Sequence, residues 1–158
     1  MRWNEIQDIP CSIARTLSVI GDRWTLLVIR EAFLGVRRFE QFQKRLQITR
    51  HRLSDRLNKL VESGVLRKAL YQESPARYEY RLTRKGMDLY PVILAMAGWG
   101  DKYMAGDAGP PVEYVHLGCG KKMTATLVCS ECGEPIDAKS VKPMLGPGLS
   151  GLAKKVGE

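Results

Sequence analysis

A three-residue turn between two amphipathic helices, the second cationic on its outer side, constrains this chain more than any other feature. Residues 49–66, TRHRLSDRLNKLVESGVL, place Leu53, Leu57, Leu60 and Val61 at i, i+4, i+7 and i+8, the apolar stripe of a helix. Thr49 is predicted to cap its start through the hydroxyl, and Gly64 to stop it, since glycine tolerates positive φ. The opposite face carries His51, Arg52, Asp55, Asn58 and Lys59, with Arg56 on its flank. Arg50 lies angularly nearer the stripe but in the open first turn. One side packs, and the other offers guanidinium groups for phosphates and base edges, as a helix in a DNA major groove requires. A solvated surface helix has a similar composition, so the neighbouring sequence has to decide.

Upstream, Arg37-Arg38 begin a short helix with Phe39, Phe42 and Leu46 at i, i+3 and i+7, and only Gln47-Ile48-Thr49 separates it from the basic helix. Two helices joined by such a turn form the helix-turn-helix pattern, with Ile48 as its buried turn residue. Arg37 and Arg38, at a helix start, are placed to grip phosphate beside free N–H groups, or are ordinary surface arginines. Before them, Ile13, Leu17 and Ile20 mark a first helix closed by Gly21. Asp22 can cap a second helix, in which Trp24, Leu27 and Val28 fall at i, i+3 and i+4; Leu26 to Ile29 is apolar without a break and Phe33 adds to it, so this helix, ending at Gly35, is expected to be central and buried on most sides.

After Gly64 the period changes. Val65, Leu66, Lys68, Leu70 and Tyr71 suggest a strand, Gln72 to Arg77 a turn, and Tyr78 to Leu82 an alternating strand. A β-hairpin behind the basic helix makes the module winged. Arg77, near its tip, can enter a minor groove or remain a solvated turn residue. Thr83 can cap one further long helix that includes Met87, Tyr90, Leu94, Ala97 and Trp99, kinked at Pro91. It is more apolar than a small core needs. It reads as a dimerisation helix packed with the N-terminal helix of a second chain, or else as core cover in a monomer.

Charge supports a polyanion partner. The chain has 158 residues and a net charge of +8. Between Arg37 and Lys85 there are 14 Lys/Arg against 5 Asp/Glu, so the rest of the chain is close to neutral. No apolar run is long enough for a transmembrane helix, and the start, MRWNEIQDIPCSIA, carries Glu5 and Asp8 and lacks the apolar stretch of a secretory signal. The expected compartment is the cytoplasm, where Cys11, Cys119, Cys129 and Cys132 would be thiols, metal ligands or redox sensors and not structural disulfides.

The run from Cys11 to Gly86 resembles the HxlR-type branch of the MarR-like winged-helix transcription regulators. The matching residues are Cys11, Gly21-Asp22-Arg23-Trp24, Arg38-Phe39, Leu53-Ser54, Arg56-Leu57 and Gly64, then Pro75, Tyr78, Tyr80, Leu82-Thr83 and Gly86 at the wing exit. The likeness covers residues 11 to about 103. It implies a homodimer whose two basic helices read an inverted-repeat operator, usually as a repressor. Some members of the family use a cysteine at the position of Cys11 to sense oxidants or electrophiles. Cys11 just precedes a helix start, where the dipole can lower a thiol pKa, although cysteine is often simply a small buried apolar residue.

The tail differs in composition. Asp107 to Val112 reads as a linker. HLGCGKKMTATLVCSECGEP then presents His116-x2-Cys119 and Cys129-x2-Cys132, two pairs in knuckle-like turns. Such pairs suit tetrahedral structural zinc with no open position, and Cys129-Cys132 can alternatively be a redox dithiol. Met123 to Val128 is expected to be a ribbon strand.

The expected fold is mainly α with a β-hairpin wing: a winged helix-turn-helix with dimerisation helices and a small C-terminal β ribbon. The expected divisions are 1–106 for DNA binding and dimerisation, 107–112 linker, 113–138 zinc-ribbon-like appendage and 139–158 flexible tail. The expected partners are double-stranded DNA, a second copy of the chain and a small-molecule or oxidant effector, with no membrane. The candidate base-facing residues are Thr49, Arg50, His51, Arg52 and Asp55. Asp55 could accept from a cytosine amino group or orient a neighbouring arginine. Arg37, Arg38, Lys44 and Lys59 are phosphate candidates, with Arg77 at the wing. No nucleophile, base and orienter set suggests an enzyme. A winged-helix protein-interaction module without DNA binding, or a thiol- or metal-responsive regulator, are the alternatives.

Overall fold

The structure, a computed structural model, describes residues 3–149. The chain divides into two compact units, with the boundary between Tyr90 and Pro91.

The first unit is built around its second helix. Helix α1 spans Ser12–Ile20 and α2 spans Arg23–Phe33. As its sequence predicts, Asp22 caps α2: its Oδ1 accepts from the N–H groups of Trp24 at 2.9 Å and Thr25 at 3.2 Å. The buried face of α2 is Thr25, Val28 and Ile29, at i, i+3 and i+4. Trp24, Leu26, Leu27 and Phe33 are only half-buried, so α2 is buried along one face and not on most sides as its unbroken apolar run suggests. In α1, Ala14 and Ile20 are buried, whereas Ile13 and Leu17 are exposed.

Helix α3 spans Phe39–Leu46, with Arg38 as its N-cap and not a helical residue. The reason is a competing pairing. The Arg37 carbonyl accepts from the Tyr80 N–H at 2.7 Å and Arg38 bridges to Glu79, which holds this segment extended against the wing. The turn to α4, Arg50–Glu62, uses Gln47 in the left-handed region (φ 50°) and buries Ile48. Thr49 occupies the N-cap position but makes no side-chain cap hydrogen bond. Gly64, with φ 72°, turns the chain out of α4.

Strand β1, Leu66–Gln72, pairs antiparallel with β2, Arg77–Leu82, with Leu66 opposite Leu82 and Arg67 opposite Arg81. Thr83 then caps α5, Arg84–Met87, accepting from the Gly86 N–H while donating to the Gly64 carbonyl at 2.6 Å. The expected single kinked helix is in fact two, α5 and α6, Tyr90–Met104. Pro91 falls in the first turn of α6, where its missing N–H has no intrahelical partner to lose. The core of the first unit joins Leu53, Leu57 and Leu60 of α4 to Val28, Ile29, Phe42, Val65 and Leu66, all 1% exposed or less. Burying each leucine contributes roughly 1.5–3 kcal/mol.

The second unit contains most of α6, a 3-10 turn at Gly106–Ala108, and the hairpin β3, Tyr114–His116, with β4, Lys121–Met123. The expected strand over Met123 to Val128 is displaced: β4 ends at Met123, and Val128 makes a single bridge to Pro135. Of the tail expected to be flexible, residues 150–158 lie outside the described residues.

Candidate nucleic-acid interface

The packing of α4 decides which of its side chains can reach a partner. Leu53, Leu57 and Leu60 point into the core, so Arg50, His51, Arg52, Asp55, Asn58 and Lys59 are left exposed, as the periodicity predicts. An ion cluster around one buried carboxylate ties α3 to α2. Glu31 is 2% exposed, its Oε1 receives Arg30 Nη2 at 2.5 Å, and its Oε2 is bonded by Arg45 Nε from α3. Nothing in the sequence pairs residues 31 and 45, although a single carboxylate amid the apolar residues of α2 hinted at a buried partner.

The expected contact residues differ in how free they are. Arg52, Lys59 and Lys44 are exposed, and their side chains make no hydrogen bond or ion pair with any described residue. Thr49 keeps a free hydroxyl, because it does not cap α4. Arg50 lies over the Phe39 ring at 5.0 Å, stacked between α3 and α4. His51 Nδ1 lies 3.1 Å from Asp55 Oδ2, one turn on, so the partner of Asp55 within the chain is a histidine. Arg56 is partly buried, with Nε 3.3 Å from Asp22 Oδ1.

Of the two arginines before α3, Arg37 is exposed with a free guanidinium, whereas Arg38 is held. Arg38 reaches Glu79 Oε1 at 3.5 Å and lies over the Tyr71 ring at 4.5 Å. Glu79 also binds Arg81 at 2.9 Å, and these cations hold its carboxyl below the ordinary value of 4.5, with the Arg81 hydrogen bond the largest cause. Arg77 opens β2 at the wing tip, exposed and opposite Gln72. The wing adds cations that the sequence reading did not single out. Arg67 stands opposite Arg81 on an exposed side, and Lys68 Nζ lies 5.9 Å from the centre of the Tyr80 ring. The adjacent Arg67-Lys68 pair and Arg81, within segments that read as strands, were the available signal.

An exposed cationic helix after a tight turn, with a basic wing beside it, is the architecture of a DNA-binding module. The HxlR-like helix-turn-helix family matches residues 19–108, more than half of the chain. The chain belongs to this family. HxlR-like proteins are transcriptional regulators and not enzymes, and this member carries their helix-turn-helix DNA-binding domain. It is similar to the HTH-type transcriptional regulator Mb3122 of Mycobacterium bovis, with 47% identity over 138 residues, 87% of each chain. The solved structure of PA1607, described as a transcription factor, matches with a TM-score of 0.78 and 35% identity over 87% of this chain and 96% of that one. The redox regulator HypR in its oxidised form matches with a TM-score of 0.54 and 32% identity, over 58% of this chain and 96% of its own. The PA1607 match extends beyond the family segment into the tail, whereas the HypR match spans a length nearer that of the winged module.

The remaining candidates lie outside the helix-turn-helix. Cys11 is the N-cap of α1, half-buried, with no side-chain cap bond. In the tail, each ligand pair does form its own turn. The His116 carbonyl accepts from the N–H groups of Cys119 and Gly120, and the Cys129 carbonyl accepts from Gly133 N–H. The Cys129 thiol pKa is lowered, first by the backbone N–H of Cys132 and then by that of Glu131. Yet among the described residues no three or more His, Cys, Asp and Glu side chains come together to hold a metal ion. His116 and Cys119 thus share one turn and Cys129 and Cys132 another, each closed by its own backbone bonds. Among the described residues no helix is long and apolar enough to cross a membrane.

Proposed function

We propose that this HxlR-like protein binds an inverted-repeat DNA operator as a homodimer and represses transcription from it. The observation that carries this reading is the division of α4: three leucines are fully buried on one side, while Arg52 and Lys59 stand exposed and unpaired on the other. Thr49, Arg50, His51 and Arg52 enter the major groove, with Asp55 fixing the His51 ring. Arg37, Lys44 and Lys59 take backbone phosphates, and Arg38, already anchored on the wing, presents its remaining N–H groups beside them. Arg77 at the wing tip reaches the adjacent minor groove. A second chain is the natural cover for the exposed apolar residues of α6, and two-fold symmetry then sets two half-sites about one helical turn apart.

The test is selection of bound duplexes from a random pool by the purified full-length protein. Enrichment of an inverted repeat is expected, with an affinity that falls steeply as salt rises, because each neutralised phosphate releases condensed counterions. Failure to enrich any repeat, together with salt-insensitive binding to a protein partner, would instead support a protein-interaction module.

A second reading concerns the signal. Cys11 sits half-buried at a helix start, and the related HypR is a redox regulator. On this reading a thiol oxidant such as diamide changes operator affinity in the wild type and not in Cys11→Ser. Equal responses in both proteins would remove it.

A further inference from the structure

The second unit carries an open cleft of about 570 Å³ between one side of α6 and the β3–β4 hairpin. That lies within the range of roughly 300–1,000 Å³ that small-molecule sites occupy. Leu94, Gly98 and Asp101 line it from α6, and Val112, Tyr114 and Met123 from the facing segments. The walls are mainly apolar and include one aromatic ring. Gly98 matters here. A glycine inside a helix is unfavourable relative to alanine, and at Gly98 no neighbouring atom would lie within 4 Å of an added Cβ. Close packing therefore does not explain the residue, and its effect is to leave the cavity open.

Charge selects the ligand. Four charged side chains line the space, and three are already engaged: Glu113 with Lys122 at 2.6 Å, and Lys102 over the Tyr103 ring at 5.1 Å. Asp101 is half-buried and makes no hydrogen bond or ion pair with any described residue. A carboxylate partly withdrawn from water without a partner favours a cation beside it. We infer that this cavity binds a hydrophobic organic monocation, with Asp101 as its counter-ion and the apolar walls, Tyr114 included, packing its body. No lining residue of the site belongs to α4 or to the wing. It also differs from the exposed stripe of Val92, Met96, Trp99 and Tyr103, which lies on the opposite side of α6 from Leu94, Gly98 and Asp101.

Isothermal titration of the full-length protein in sodium buffer, with tetraphenylphosphonium and its size-matched anion tetraphenylborate, tests this. Tetraphenylphosphonium should bind once per chain and tetraphenylborate should not. Asp101→Asn should weaken the cation by about tenfold or more, while Asp101→Glu keeps it within a few-fold. Gly98→Leu, which fills the cavity and removes a helical glycine, should abolish binding in a folded protein. Equal binding of the borate, wild-type affinity in Asp101→Asn or Gly98→Leu, or no binding of either ion to the wild type would each overturn the assignment.

Discussion

Arg52 and Arg38 carry the same charge but not the same freedom. Arg52 has no partner among the described residues, so its guanidinium can spend all of its donors on a base edge or phosphate. Arg52→Ala should therefore lower operator affinity by roughly 1–3 kcal/mol while leaving thermal stability nearly unchanged. A gel-shift titration that superimposes on wild type would remove Arg52 from the interface. Arg38 is committed to Glu79 and Tyr71, so its loss should disturb the wing as well as the DNA. Glu79 organises this corner. Its folded pKa is lowered below 4.5, chiefly by Arg81, so the native state favours the carboxylate. The stability it contributes is then fully present above that value and is lost as pH falls through the lowered folded value. Glu79→Gln should melt at a lower temperature than wild type at pH 7, and the gap should narrow progressively on acidification below 4.5. A gap that does not narrow as the pH falls through the acid range would contradict the ion-pair account.

At the scale of elements, the approach of α5 to Val65, just before β1, and to the end of β2 leaves no room for a side chain. A Cβ on Gly86 would lie 2.2 Å from the Val65 carbonyl oxygen and 2.9 Å from Leu82 Cδ2. Gly86→Ala should destabilise the first unit by roughly 1–3 kcal/mol, measured by urea unfolding, because backbone has to move. Unchanged stability would mean that α5 can shift without loosening the wing exit. Gly86 was legible as a resemblance, but not its cause, since the carbonyl it meets belongs to a residue 21 positions earlier. The same division runs through the rest. The α4 face, the buried Ile48, the Asp22 cap and the Gly64 stop follow from local spacing and backbone chemistry, and all were readable. The late start of α3, the restraint on Arg38 and the Glu31–Arg45 tie depend on pairings between distant segments, which periodicity does not encode. The break between α5 and α6 was hidden for another reason: a proline suits the first turn of a new helix as well as the kink of an old one. In the tail the Cys and His spacings describe each turn faithfully but do not determine whether the two turns meet.

At the scale of the whole molecule, the question is what covers α6. None of its residues is buried, and Val92, Met96, Trp99 and Tyr103 recur at i, i+4, i+7 and i+11 as an exposed apolar stripe. On α1, Ile13 and Leu17 are likewise open to solvent. Stripes of this kind on separate helices are what a homodimer would remove from water, and a two-fold interface presents each residue to its partner's copy of the same surface. Trp99, 60% exposed in the single chain, should be a strong contributor, since aromatic anchors carry much of the energy of such interfaces. Trp99→Glu would place two like charges in that interface, one from each subunit. Sedimentation equilibrium should then report a dimer for wild type and a monomer for the variant. With the subunits separated, the second half-site no longer benefits from the first being bound, so operator affinity should fall by about 10²-fold or more, while affinity for a single half-site stays the same. If Trp99→Glu remained dimeric and bound the full operator like wild type, the symmetry axis would have to lie away from this face of α6. Loss of half-site binding as well would mean that the substitution had damaged the reading helix itself, which the intact α4 core argues against.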